Sequence, residues 1–506
     1  MLLRRLGFVG LLVAAGLLAL LPSWAQRPGL RPSVFAITDA RIVTEPGKEI
    51  PSGVVVIRDG VIQDVGANVK PPADALLIQG KDLVVYPGFI DAGSTWGVDT
   101  ALRRSESGPP EPVDFAAEAL AATKADNRKG VTPEFETSTA LKLDEEAAEG
   151  WRKQGFTARL VVPEPAIIAG QSAVVTLSGA APRETVVRAP LAMHVGFRAP
   201  GQGYPMTLMG TMAHLRQAFL DAGHHARLQA FHEKHGVGRR PPLDPALTAL
   251  NLTLRNEGRA TAPLPVVFDA DTRDAIHRSL DLAEEFNLRP LIQGGADAWK
   301  AADRLKAADV PVLARISFAD QPRGGGRRGG GRPTDPAVPI APPARPGTPP
   351  PVDPFQTPES SSEEAEKATP PRAREEQERK LKEEIRNLAV LEQKKVRFAI
   401  GTQGLDKPEK FRENLKKAID AGLSPEAALR ALTIDAARIL GVDKQLGSIA
   451  PGKSAHLVVM TGKFDDPKSQ VRHLFADGVR FEFEAPPSGP AASPRERSRP
   501  DDKKPE

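Results

Sequence analysis

Two patterns of apolar and polar positions divide this chain. Between residues 33 and 86, apolar runs such as Ile37-Thr-Asp-Ala-Arg-Ile-Val43 and Val54-Val-Val-Ile-Arg-Asp-Gly60-Val-Ile62 alternate with turn signals, Asp59-Gly60 among them. Period-two alternation closed by Asp-Gly predicts hairpins and a small β-unit. From residue 113 the pattern changes: helical stretches (Phe115 to Lys129, Glu145 to Gln154) alternate with short apolar runs (Thr157 to Val162, Ser172 to Leu177, Val266 to Phe268, Arg289 to Ile292, Val310 to Ala314, Val396 to Ile400). Such alternation predicts parallel strands joined by crossover helices. Strands return at Ser454 to Met460 and Val471 to Phe483, with Asp477-Gly478 as the turn between the last two short runs.

Three stretches fall outside both patterns. Gln321 to Pro371 contains Gly324-Gly-Gly-Arg-Arg-Gly-Gly-Gly-Arg332 and then turns Pro-rich, so it cannot bury enough apolar surface to offset ordering entropy and is read as a disordered insertion. A helix is predicted to resume near Arg372, with Leu381, Ile385, Leu388 and Leu391 at helical spacing. The Pro-rich, charged tail from Ala485 is read as disordered too. At the other end, Arg4 and Arg5, an apolar run from Leu6 to Leu21 and Ser23-Trp24-Ala25 fit a secretory signal cleaved after Ala25. The run is short for a membrane span, which needs about 20 residues, so the mature chain is expected to be exported, periplasmic or extracellular, without a stable span.

Composition narrows the chemistry. A length of 506 residues exceeds a single core, which stops growing near about 250 to 300 residues, so two folded units are expected. The net charge of +4 gives little support for nucleic-acid binding. Gly324 to Arg332 resembles the Arg-Gly segments of RNA-binding proteins but has no interleaved aromatics, and a flexible linker is the favoured reading. With no cysteine, disulfides, thiolate ligands and a cysteine nucleophile are excluded, and any metal must rest on His, Asp or Glu.

Pro87-Gly-Phe-Ile-Asp-Ala-Gly-Ser-Thr95, Gly422-Leu-Ser-Pro-Glu-Ala-Ala-Leu-Arg-Ala-Leu-Thr433, Asp435-Ala-Ala-Arg-Ile-Leu-Gly441 and Gly447-Ser-Ile-Ala-Pro-Gly-Lys-Ser-Ala-His-Leu-Val-Val459 occur in this order. Together with the opening strand pair they resemble the amidohydrolase superfamily over residues 33 to 484, apart from the insertion. The resemblance implies an α/β fold: a distorted (β/α)8 TIM-like barrel beside a small β-sandwich domain built from both chain ends, which brings residues near 40 and 475 together. The implied organisation is a signal peptide (1–25), the first part of the β-domain (33–86), the first part of the barrel (87–320), the insertion (321–371), the last part of the barrel (372–445), the rest of the β-domain (446–484) and a tail (485–506).

The resemblance also implies hydrolysis of carbon-nitrogen bonds other than peptide bonds. Members activate water on one or two divalent metals such as zinc, held by histidines at the strand ends, with an aspartate after the last strand as base. Metal-bound water reaches a pKa near about 7, and a nearby carboxylate accepts its proton. Here Gly93 and Thr95 stand where the family carries its first two histidines, Asp269 falls at the fifth-strand ligand, Gly294 (or Gln293 with a one-residue slip) at the sixth, and Gln403 replaces the aspartate. These five positions, Gly93, Thr95, Asp269, Gly294 and Gln403, are the expected pocket. No catalytic residue is assigned.

Weak metal candidates are Asp91, Asp269 and Asp271, whose carboxylates suit a hard cation better than zinc. The favoured alternative is structural: Asp91 braces the first strand's end, and Asp269 and Asp271 cap the helix beginning near Arg273. Five of the nine histidines lie between His214 and His235. His214, His225 and His232 share a helical face but stand roughly 10 Å or more apart at a rise of about 1.5 Å per residue. His232 and His235 could supply two ligands, although His235 followed by Gly236 reads better as a helix end. His194, His277, His456 and His473 default to structural or surface roles, and Ser94 to a turn. Three functions remain open: a hydrolase with a reduced or unusual metal site; an exported pseudoenzyme that binds a small molecule, forms a homo-oligomer, or pairs with an active relative; and a metal-independent enzyme, for which the sequence offers no convincing nucleophile.

Overall fold

The computed structural model describes residues 33–99, 128–198, 205–238, 240–255, 262–318 and 371–483. The expected signal, tail and insertion (up to residue 370), and nearly all of the helix expected from Phe115 to Lys129, lie outside these residues. The chain opens with β1 (Val34–Glu45), β2 (Lys48–Arg58), β3 (Val61–Gly66), β4 (Leu76–Gln79) and β5 (Val84–Pro87). It continues through β6 (Phe89–Ser94), α1 (Glu145–Lys153), β7 (Phe156–Val161), β8 (Ile168–Gln171), β9 (Ala173–Thr176), β10 (Val186–Arg188), β11 (Met193–Gly196), α2 (Leu208–His235) and α3 (Pro245–Leu250). Next come β12 (Val266–Ala270), α4 (Arg273–Glu285), β13 (Pro290–Gly294), α5 (Ala302–Ala307), β14 (Val312–Arg315), α6 (Pro371–Gln393), β15 (Phe398–Gly401), α7 (Lys410–Asp420), α8 (Pro425–Leu432) and α9 (Ile434–Leu440). Three strands finish the fold: β16 (Leu457–Met460), β17 (Val471–Ala476) and β18 (Val479–Glu482).

Local chemistry accounts for many of these boundaries. Asp59 (φ 50°) and Gly60 (φ 80°) reverse the chain between β2 and β3, and Asp477 (φ 51°) and Gly478 (φ 76°) do so between β17 and β18. Positive φ at both central residues matches the twist of a tight hairpin, hence Asp-Gly twice. Asp144 caps α1 by accepting from the Ala147 N–H, with Glu145 and Glu146 in the first turn and Arg152 and Lys153 in the last, which complements the helix dipole at both ends. Ser424 caps α8, followed by Pro425, whose missing N–H costs nothing at the first helical position.

The two chain ends share one sheet of eight strands, ordered β18-β17-β16-β5-β1-β2-β3 with β4 on β1. β16 pairs with β5, the Phe35 and Phe475 rings meet edge-on at 5.3 Å, and β3 curls back to bridge Ser454. Its apolar face buries Ile37, Ile42, Ile57, Leu457 and Phe475.

The TIM-like barrel is built from two arcs. β6 pairs in parallel with β7, and β11 to β15 pair in parallel successively. Between the arcs, β8 and β9 run antiparallel to β11 and β7, so the run from Ser172 to Leu177 does not join the parallel set expected for it. At the other junction the Gln403 N–H donates to the Gly93 carbonyl at 3.0 Å. β11 was not legible in the sequence, because four residues are too few to show a period.

Candidate functional site at the barrel mouth

Period-two alternation decides which residues face the barrel's interior. Val267, Leu291, Leu313 and Ala399 enter one buried cluster, while Val266, Phe268, Ile292, Val312, Ala314, Phe398 and Ile400 enter another that packs against the helices. Ala192 belongs to the first cluster and Met193 and Val195 to the second. Two residues further along, on the interior side, the strands therefore deliver His194, Asp269, Gln293, Arg315 and Gly401 to the mouth at their C-terminal ends, where barrel enzymes keep their sites. This corrects the expectation of Gly294 as a pocket position. Gln293 occupies it, and Gly294 instead serves the backbone: its φ is 91°, and an added Cβ would stand 2.4 Å from Asp271 Oδ1.

At the hub, Gln293 Nε2 donates to Gln403 Oε1 at 2.6 Å. Gly93 lies beside this pair, and a Cβ there would be 3.4 Å from Gln293 Nε2. His194 flanks Gln293 and is 7% exposed; burial lowers its pKa to about 3, partly opposed by the nearby Gln293 carboxamide, so the ring is neutral at neutral pH. Its Nε2 and Gln293 Oε1 are buried without close hydrogen-bond partners. Asp269 is half-buried; burial and then the neighbouring Asp271 push its carboxyl up, against Arg315 and Arg198. His194, Asp269, Gln293 and Gln403 line a cavity of about 20 Å³, walled also by Val162, Pro163, Pro165 and Ala166.

The other candidates fall into place around this hub. Asp271 pairs with Arg315 at 2.7 Å. Neither Asp269 nor Asp271 caps α4: Thr272 does, accepting from the Ala275 N–H. Asp91 is wholly buried and accepts from the N–H groups of Gly93 (3.1 Å) and Thr402 (2.8 Å), from the Thr402 hydroxyl (2.6 Å) and from Arg159 (2.8 Å). Its lone pairs are committed, so it braces the strand end and is withdrawn as a metal ligand. Thr95 points away from the hub, into a neighbouring groove of about 450 Å³ that Trp96, Asp144, Gln403 and Asp406 also line. Ser94 Oγ accepts from the Trp96 N–H, the turn role expected of it.

Three other histidines make contacts of structural kinds. His225 Nε2 contacts the Pro242 carbonyl at 3.0 Å. His235 packs on Phe231, and Gly236 closes α2 in the left-handed region at φ 63°. His456 meets Asp477 at 2.9 Å inside the β-domain; burial works against ionising Asp477, but hydrogen bonds from His456, Thr176 and Ser178 hold its carboxyl below the usual range.

These residues do not fit the family's metal. A glycine, a remote hydroxyl and two carboxamides replace four ligating or basic groups, and zinc selects imidazole, thiolate or carboxylate. Among the described residues no group of three or more His, Cys, Asp or Glu side chains is placed to hold a metal ion. His194 was missed as a mouth residue because its strand was missed.

Known proteins resemble this chain in sequence and in fold. The pattern of the amidohydrolase family matches residues 361–481. Adenine deaminase 2 of Jannaschia sp. (strain CCS1) is 42% identical over 65 residues, 13% of this chain and 10% of that protein. Adenine deaminase 2 of Bradyrhizobium diazoefficiens is 39% identical over 68 residues, with the same coverage of 13% and 10%. The alignments thus span about a tenth of the length of these curated relatives. A solved amidohydrolase from Thermotoga maritima MSB8 shares the fold, with a TM-score of 0.65 and 22% identity, covering 89% of this chain and 100% of that one. The amidohydrolase family's pattern thus lies in the last part of the barrel and the strands that follow it, and the fold is that of the solved amidohydrolase.

Proposed function

We propose that this chain is a member of the superfamily that has given up metal-dependent hydrolysis and uses its barrel mouth to bind a small molecule. The observation that carries this reading is the 2.6 Å hydrogen bond between Gln293 and Gln403. It ties together, as neutral amides, the sixth-strand position and the position of the family's general base. A carboxamide does not accept a proton at neutral pH, so neither Gln293 nor Gln403 can serve as the base there.

The names of the matching relatives favour a second reading, hydrolytic deamination. It requires a metal site that the donor set at the mouth does not build among the described residues. Metal content separates the two. After incubation with zinc, manganese and magnesium and removal of unbound ions, mass spectrometry is expected to find well under one equivalent per chain. Near-stoichiometric metal that disappears in Asp269→Ala would sink the proposal.

Export is a further part of this reading, supported by Arg4, Arg5, the apolar run and Ser23-Trp24-Ala25. Expressed from its full reading frame in a secreting bacterium, the protein is expected to have an intact mass that begins at Gln26. An intact mass retaining residues 1–25 would contradict it.

A further inference from the structure

The mouth cavity is rich in acceptors and poor in donors. Gln293 is 4% exposed and His194 7%, and the buried Oε1 of the first and Nε2 of the second have no close partner. Buried polar atoms left this way keep the full cost of desolvation, so such atoms facing a cavity call for an occupant. Asp269 is the one charged side chain among the residues lining the cavity, since Arg315, committed to Asp271, is not in its wall. A half-buried carboxylate among neutral acceptors is complementary to a small cationic donor. The cavity, about 20 Å³, admits one group the size of a water or an ammonium. Its outer wall is apolar, formed by Val162, Pro163, Pro165 and Ala166.

We propose that this pocket binds a primary ammonium group carried on a short apolar stem. The three N–H donors reach Asp269, Gln293 Oε1 and the neutral imidazole of His194, and the stem lies along the two prolines. A secondary or quaternary nitrogen has more bulk than the cavity holds, and a hydroxyl supplies one donor and no charge. The inference rests on the reading that the mouth carries no metal, and it names the chemical class of the ligand.

The test is titration of the mature protein with propylammonium chloride, followed by calorimetry and by amide chemical shifts, with propan-1-ol and tetramethylammonium chloride as controls. Saturable binding of propylammonium is expected, at least tenfold tighter than either control. Asp269→Asn is expected to weaken it at least tenfold, and Gln293→Met to weaken it several-fold; the second variant decides the matter if the first does not fold. Equal binding of propan-1-ol, or undiminished binding by a folded Asp269→Asn or Gln293→Met protein, overturns the proposal. Metal content measured on the same sample separates the failures. No propylammonium binding by metal-free protein defeats this inference alone, while stoichiometric metal in the mouth defeats the functional reading as well.

Discussion

Replacing Asp91 by Asn is expected to lower the free energy of unfolding in urea by about 3–5 kcal/mol, the usual cost of removing one partner of a buried ion pair. Asp91 and Arg159 are each 0% exposed and 2.8 Å apart. Burial pushes the Asp91 carboxyl up and the Arg159 guanidinium down, and their mutual attraction opposes both shifts. Arg159 also lies over the Trp96 and Trp151 rings, at 4.6 and 5.0 Å from their centroids, and its Nε and Nη1 make no hydrogen bond. Stacking cannot replace the lost counter-charge, so the cation would be stranded in a dry site. The same carboxylate ties β6 to the end of β15, and the junction between the arcs should loosen with it. Adding Arg159→Met to Asp91→Asn is expected to recover most of the loss, because the uncompensated charge is then gone. If Asp91→Asn alone changed the urea midpoint by less than about 1 kcal/mol equivalent, the pair would not be the brace described here.

Truncating Phe156 to Ala is expected to cost about 3–5 kcal/mol, the range for a large aromatic removed from a packed core. Phe156 is fully buried at the start of β7 and touches three rings edge-on: Phe89 at 6.2 Å, Trp151 at 5.9 Å and Phe411 at 4.7 Å. Phe89 in turn meets Phe464, which meets Tyr86 at 5.8 Å, so the aromatic chain runs from the barrel into the β-domain. Edge-on pairs add about 0.5–1.5 kcal/mol beyond the area they bury. Thermal and urea unfolding measure the loss. A much smaller cost, with the two parts still unfolding together, would show that other contacts join barrel and β-domain.

Propensity and periodicity reached the parts of this fold that local physics controls. The two Asp-Gly hairpins, the helix beginning at Glu145 and the His235-Gly236 helix stop each follow from local residue preferences. The absence of the first-strand ligands was also legible, because Gly93 carries no side chain in any fold. Where the reading failed, the missing information was non-local. A slip of one residue exchanges the two faces of a strand, and only the packing of Leu291 into the interior fixed Gln293, not Gly294, at the mouth. The antiparallel β8 and β9, and the four-residue β11 that delivers His194, carry no period long enough to show direction or existence.

The sequence by itself therefore determined the order of the family-like segments and the residue types at the expected ligand positions, since both reside in residue identity and in order along the chain. Tertiary structure alone decided which side chains meet at the mouth. Gln293 and Gln403 are 110 residues apart and meet only because β13 and β15 end at one rim, leaving His194, Asp269 and Gln293 around a cavity that no local pattern encodes.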